Sequence, residues 1–139
     1  MSSAKPRMAK WSIGFLALSI AAVCTSANDA PASDAPYQVK EGNKVDQKTL
    51  NGWRTWRALA CERCHGAEQQ GMVGPSLIES MKRLSKEDFH SILMNGRPEK
   101  GMPPFSGSTM VNQNWEGLYA YLKGRSDGKI KPGHVYPME

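Results

Sequence analysis

Cys61-Glu62-Arg63-Cys64-His65 is the stretch on which the reading of this chain turns. On a helical turn, residues three and four apart lie on one face, so Cys61, Cys64 and His65 would point the same way. Two thiols placed side by side can form thioethers with the two vinyl groups of a single porphyrin. An imidazole one position further on then reaches the iron from that side as its proximal ligand. This spacing is the attachment signature of a c-type haem. The residues therefore predict one covalent haem c, attached at Cys61 and Cys64, with His65 on the iron.

Two other chemistries use paired cysteines. Half of a zinc site would need two more ligands, and outside the motif the chain offers only Cys24, His90 and His134. A thioredoxin-like dithiol would need a βαβ setting, and no strand-rich pattern precedes Cys61.

Compartment comes from the start of the chain. Lys5, Arg7 and Lys10 form a positive region, and residues 11–23 are an apolar run of 13 residues. Such a run is short for a bilayer span and suits the core of a signal peptide. Thr25-Ser26-Ala27 supplies small residues at a cleavage site, so residues 1–27 are expected to be a cleaved signal peptide, leaving no transmembrane anchor in the mature form. Cys24 is a candidate lipid-attachment site, although Val23 stands where a lipoprotein signal has a small residue. Cleavage after Ala27 discards Cys24 and leaves both remaining cysteines to the haem motif. Export suits that motif, because c-type haem is attached outside the bacterial cytoplasm, so the expected location is the periplasm.

The formal charge of +5 is partly leader. Without Lys5, Arg7 and Lys10 the 18 basic residues fall to 15 against 13 acidic ones, a formal +2. No basic cluster interleaved with aromatic residues remains, which argues against a nucleic-acid partner.

The mature chain reads as one small all-α domain. Residues 28–36 are rich in Ala, Ser, Asp and Pro and are expected to be a flexible linker. The domain is expected over 37–126. Its first helix is placed at 49–60, with Leu50, Trp53 and Ala60 facing inward and Trp56 flanking. An irregular loop follows at 66–77, then a short helical piece at 78–84. Ser85 caps the next helix, with Asp88 three residues on and Gly96 as its stop. Residues 97–107 hold three prolines and two glycines, which exclude a regular element. The last helix is placed at 113–123, where Trp115, Leu118, Tyr119 and Leu122 recur at helical spacing. Residues 127–139 are expected to be a surface tail. No convincing strand alternation is present.

Iron held by His65 needs a second ligand or an open position. Met102 lies in the rigid proline-rich loop, and a thioether suits iron in an electron carrier. Met102 is therefore the expected sixth ligand, with Met110 its main competitor. Filling a packing gap is the ordinary alternative role of a methionine. His90 or His134 would give bis-histidine ligation.

Four elements together carry a resemblance: Cys61 to His65, Gly74-Pro75-Ser76-Leu77, Gly101-Met102-Pro103, and a terminal helix with Trp115, Tyr119 and Tyr121. The chain resembles the class I c-type cytochromes, small electron carriers whose helices and loops wrap one covalent haem. The resemblance implies that the Pro75 carbonyl accepts a hydrogen bond from His65 and fixes its ring. It also implies that the first and last helices cross at a small residue and an aromatic, with Gly52 and Tyr119 or Tyr121 as candidates. Tyr37-Gln38-Val39, Lys44-Val45-Asp46, Asn51-Gly52-Trp53 and residues 121–128 look like the cytochrome c-L group, which accepts electrons from PQQ-dependent alcohol dehydrogenases.

The expected function is thus a monomeric one-electron carrier, reduced by a quinoprotein alcohol dehydrogenase and oxidised by a downstream cytochrome or terminal oxidase. No nucleophile–base pair or carboxylate dyad marks it as an enzyme. Arg54, Arg57, Arg63 and Lys100 are candidates for a docking rim. The alternative is a peroxidase-like or gas-binding haem protein with an open sixth position.

Overall fold

A computed structural model describes residues 34–139, so the expected signal peptide, Cys24 and most of the linker lie outside the described residues. Along the chain run β1 (Val39–Lys40), β2 (Lys44–Val45), α1 (Gln47–Ala58), α2 (Glu62–His65), α3 (Leu77–Ser80), α4 (Lys86–Asn95), a 3-10 turn (Pro98–Lys100), α5 (Thr109–Ser126) and β3 (Tyr136–Pro137).

Side-chain caps explain where the helices begin. Asp46 accepts from the Thr49 N–H and starts α1, Ser85 accepts from Asp88 and starts α4, and Ser108 accepts from Val111 and starts α5. Helix α1 therefore begins two residues before its expected start and ends at Ala58 rather than Ala60. Helix α5 is longer than expected at both ends, because Ser108 extends it by a turn before the apolar stripe begins. Gly96, at φ +64, closes α4 as the sequence predicted.

Helices α1 and α5 cross at two glycines. A Cβ at Gly52 would overlap the carbonyl of Gly117, and one at Gly117 would overlap the carbonyl of Lys48. Gly52 thus faces a second small residue at the crossing, not Tyr119 or Tyr121. Both tyrosines are buried beside it, with Tyr121 against Trp56 at 6.4 Å and Tyr119 against Phe89 at 5.4 Å.

The core gathers on these two helices. Leu50, Trp56, Val111, Leu118, Tyr121 and Leu122 are buried together with Met81, Phe89 and Leu93. The inward face of α1 is rotated from the one expected. Trp56 is buried, while Trp53 is half-buried and sets its ring edge-on to His134 at 4.6 Å. From Gly117 to Leu122 every residue of α5 is buried, because α1, α3 and α4 all pack on it. A single amphipathic stripe could not predict that.

Three strands of two residues each form a small sheet in the order β1-β2-β3, antiparallel then parallel. They are too short to leave an alternating pattern in the sequence. They draw the last residues onto the turn between β1 and β2: Lys131 donates its N–H to Gly42 O at 2.7 Å, and Tyr136 to Asn43 O at 2.8 Å. Residues 127–139, expected at the surface, are mostly exposed, yet Ile130 and Val135 are buried. Two apolar residues among glycines and prolines were too sparse to mark a core contribution.

Candidate haem site

The site starts with a change of direction. Ala60 adopts φ +50, a left-handed conformation that costs an alanine roughly 1 kcal/mol, and turns the chain from α1 into the short helix α2. That helix carries the motif: Cys64 N–H and His65 N–H both donate to Cys61 O, at 3.2 and 3.0 Å. The two cysteines are free, Cys61 half-buried and Cys64 exposed. Burial, with help from the Glu62 carboxylate, pushes the Cys61 thiol up to about 11, so it stays protonated at neutral pH. Glu62 is itself paired with Arg57 at 3.2 Å.

His65 is held from behind. Its Nδ1 lies 2.9 Å from Pro75 O. A carbonyl only accepts, so Nδ1 carries the proton and donates it, leaving the Nε2 lone pair free to bind a metal. The loop that delivers Pro75 folds back on the motif: Gly74 N–H donates to Cys64 O at 2.8 Å and Gly71 N–H to His65 O at 2.7 Å. Gly74 touches the imidazole so closely that a Cβ there would lie 2.9 Å from Cε1. Trp56 flanks the ring at 6.4 Å between centroids.

Met102 is half-buried against the core, and its backbone is fixed by paired hydrogen bonds with Arg97, 2.8 and 3.1 Å long. Met110 sits in the first turn of α5 and is 43 % exposed. His90 packs against Trp115 at 4.2 Å with the rings tilted by 46°, and His134 lies between Trp53 and Tyr136, 4.6 Å from each. Arg54, Arg57, Arg63 and Lys100 are all exposed, and Arg57 also pairs with Glu62.

These residues suit a covalent porphyrin. Two free thiols and a histidine with its Nε2 available share one short helix, and half-buried Cys61, Leu77, Leu84, Met102 and Phe105 supply apolar contacts at the edge of the core. A separate cleft of about 590 Å³, lined by Trp53, Trp56, Arg57, Tyr121 and His134 among others, includes none of Cys61, Cys64, His65, Pro75 and Met102.

A small helical fold with this motif, a histidine backed by a proline carbonyl and a proline-rich methionine loop is the architecture of a class I c-type cytochrome. A family model described as cytochrome C oxidase, cbb3-type, subunit III matches residues 47–122. Cytochrome c-555 of Methylococcus capsulatus is 39 % identical over 117 residues, which cover 84 % of this chain and 87 % of that protein. Cytochrome c-551 of Bacillus subtilis is 29 % identical over 67 % of this chain and 78 % of its own. The crystal structure of the c-type cytochrome XoxG from Methylobacterium extorquens AM1 superposes with a TM-score of 0.66 at 34 % identity. That match covers 74 % of this chain and 66 % of XoxG, just under two thirds of its length. The chain belongs to this cytochrome c family, as a class I c-type cytochrome. Its cofactor is covalently bound haem c and its work is electron transfer.

Three residues have roles that the sequence does not announce. Gly74 is legible in the Gly74-Pro75-Ser76-Leu77 segment, but not as the contact of the His65 ring. Gly117 is a glycine inside a helix, a known sign of close approach that the amphipathic reading of α5 passed over. Arg125, buried beneath the loop that carries Pro75, gives no signal in a pattern that places charged residues outside.

Proposed function

We propose that this protein is a periplasmic, monomeric one-electron carrier in which Cys61 and Cys64 hold the haem by thioethers and His65 and Met102 hold its iron. The observation that carries this reading is the His65 Nδ1–Pro75 O hydrogen bond of 2.9 Å, made within one turn of two free cysteines. A ring fixed in this way keeps one tautomer and becomes a stronger donor to a metal. Haem c supplies a one-electron ferric–ferrous couple, and a methionine ligand raises its potential. Met102 is favoured over Met110 because its backbone is fixed on both sides by Arg97, while Met110 rides on a helix with its side chain exposed. The aromatic contacts of His90 and His134 account for those rings without the iron.

The donor we propose is a quinoprotein alcohol dehydrogenase, with a downstream cytochrome or terminal oxidase as acceptor. Support comes from the blocks of sequence similar to the cytochrome c-L group. Among the described residues no helix is long and apolar enough to cross a membrane.

The decisive experiment mixes the purified, matured protein with reduced quinoprotein alcohol dehydrogenases and follows the growth of its ferrous absorption bands. Rapid reduction at low protein concentration is expected; none with any such enzyme would remove the donor assignment. For the ligand, Met102→Ala should abolish the near-infrared sulfur-to-iron band and let carbon monoxide bind, while Met110→Ala should do neither. A parent protein that binds carbon monoxide freely would instead point to the open-site reading.

A further inference from the structure

Arg125 is a buried cation that, among the described residues, has no carboxylate beside it. It is 8 % exposed. Burying an unpaired charge is costly unless its donors are satisfied. Neutral acceptors satisfy them here: Nε donates to Gln69 Oε1 at 2.6 Å, Nη1 to Ile130 O at 2.7 Å and Nη2 to Glu68 O at 3.1 Å. Hydrogen bonds to neutral oxygens hold the guanidinium in place without cancelling its charge.

The loop it grips is the one behind His65. Gln69 is 1 % exposed and adopts φ +61, a left-handed conformation that is strained for a non-glycine residue and must be held by its surroundings. Its side-chain nitrogen donates to Tyr121 Oη at 3.3 Å. Its carbonyl accepts from Leu77 N–H at 2.9 Å and from Ser76 Oγ at 3.3 Å. Ser76 follows Pro75, whose carbonyl takes the His65 proton. A second route is equally short: Tyr121 packs on Trp56, and Trp56 packs on His65, each at 6.4 Å between ring centroids.

We propose that Arg125 raises the reduction potential of the bound haem through its buried charge, and that as a positioning residue it steadies the His65–Pro75 hydrogen bond through Gln69. The inference rests on His65 as the proximal ligand. A fixed positive charge in a low-dielectric interior disfavours the oxidised iron, which carries one more positive charge than the reduced form. Because the guanidinium is buried, dissolved salt screens it weakly.

The test uses the matured holoprotein and three variants, each followed by redox titration at low and high salt. Arg125→Gln loses both the charge and the fork, and relative to Arg125→Lys, which shares the second loss, its reduced-to-oxidised ratio at fixed ambient potential should lie severalfold toward the oxidised form at both salt concentrations. Gln69→Glu sets a carboxylate beside the guanidinium and should move the ratio the same way, although every hydrogen bond of Arg125 can persist. Arg125→Lys keeps the charge but loses the fork, so its potential should match or slightly exceed that of the parent. Exchange of the His65 Nδ1–H with solvent, read by nuclear magnetic resonance, should quicken in both Arg125 variants, since each loses the fork. An unchanged potential in Gln69→Glu would overturn the electrostatic half, and unchanged exchange in Arg125→Lys the positioning half. Those two variants decide the matter even if Arg125→Gln does not mature. Failure of His65 as ligand would show separately, in the spectrum of the parent protein.

Discussion

At the scale of single residues, the most constrained atom in the site is one that is missing from a side chain. A Cβ on Gly74 would stand 2.9 Å from Cε1 and 3.0 Å from Nδ1 of His65, both tighter than a carbon normally tolerates. Gly74→Ala must therefore push the ring aside or lift the loop that carries Pro75. We expect it to destabilise the holoprotein by about 1–3 kcal/mol in denaturant titrations. It should also raise the midpoint potential, because a weaker Nδ1–H bond makes the imidazole a poorer donor to the ferric state. A variant matching the parent in both respects would show that the loop yields freely. Cys61, Cys64 and His65 could be read directly, since their relation is fixed by three or four residues of local chain. The contact at Gly74 depends on how a ten-residue loop folds back, which local spacing does not record.

At the scale of elements, the fold depends on how closely α1 and α5 approach. Backbone meets backbone at Gly52 and Gly117, so no rotamer change can relieve an added methyl group there. Gly117→Ala should cost about 2 kcal/mol or more by overpacking, outweighing the roughly 1 kcal/mol that alanine gains over glycine in a helix. A cooperative melt at the parental temperature would contradict this. The start of α1 adds a pH dependence. Burial pushes the Asp46 carboxyl up, but hydrogen bonds from Gln38 N–H and from the Thr49 hydroxyl and N–H outweigh it and hold the group below its ordinary range. A depressed carboxylate stabilises the fold above its unfolded pKa, and that contribution is lost as the pH falls through the folded value. Asp46→Asn should therefore flatten the acid limb of the stability curve, measured by thermal melts between neutral and acid pH. Ser85 and Gly96 showed both ends of α4 in the sequence, because caps are local chemistry. The rotated face of α1 and the fully buried middle of α5 were not legible, since both depend on which neighbours close around a helix.

At the scale of the whole molecule, the sequence marked a small helical haem-binding fold but understated how residues 127–139 join β1 and β2. The small sheet and buried Ile130 and Val135 tie the last residues to β1, β2 and α5, through elements too short to carry a period. The core so formed is narrow. Trp56, Leu118, Tyr121 and Leu122 fill the helix crossing, but Leu77, Leu84, Met102 and Phe105 only lean against it. In a domain this small, apolar area is scarce, and a covalent ring supplies part of what the side chains lack. Thioethers also tether that ring in the unfolded state, so its return to the apolar contacts is intramolecular. Replacing both cysteines, Cys61→Ala with Cys64→Ala, should remove the haem that survives denaturing electrophoresis. It should also leave a chain with weakened near-ultraviolet circular dichroism and no sharp melting transition. The α1–α5 crossing needs no haem atoms, so residual helicity in the far ultraviolet is expected to persist. Cooperative unfolding of the colourless double variant would instead show that the crossing and its aromatic filling suffice to define the fold, with the haem a passenger.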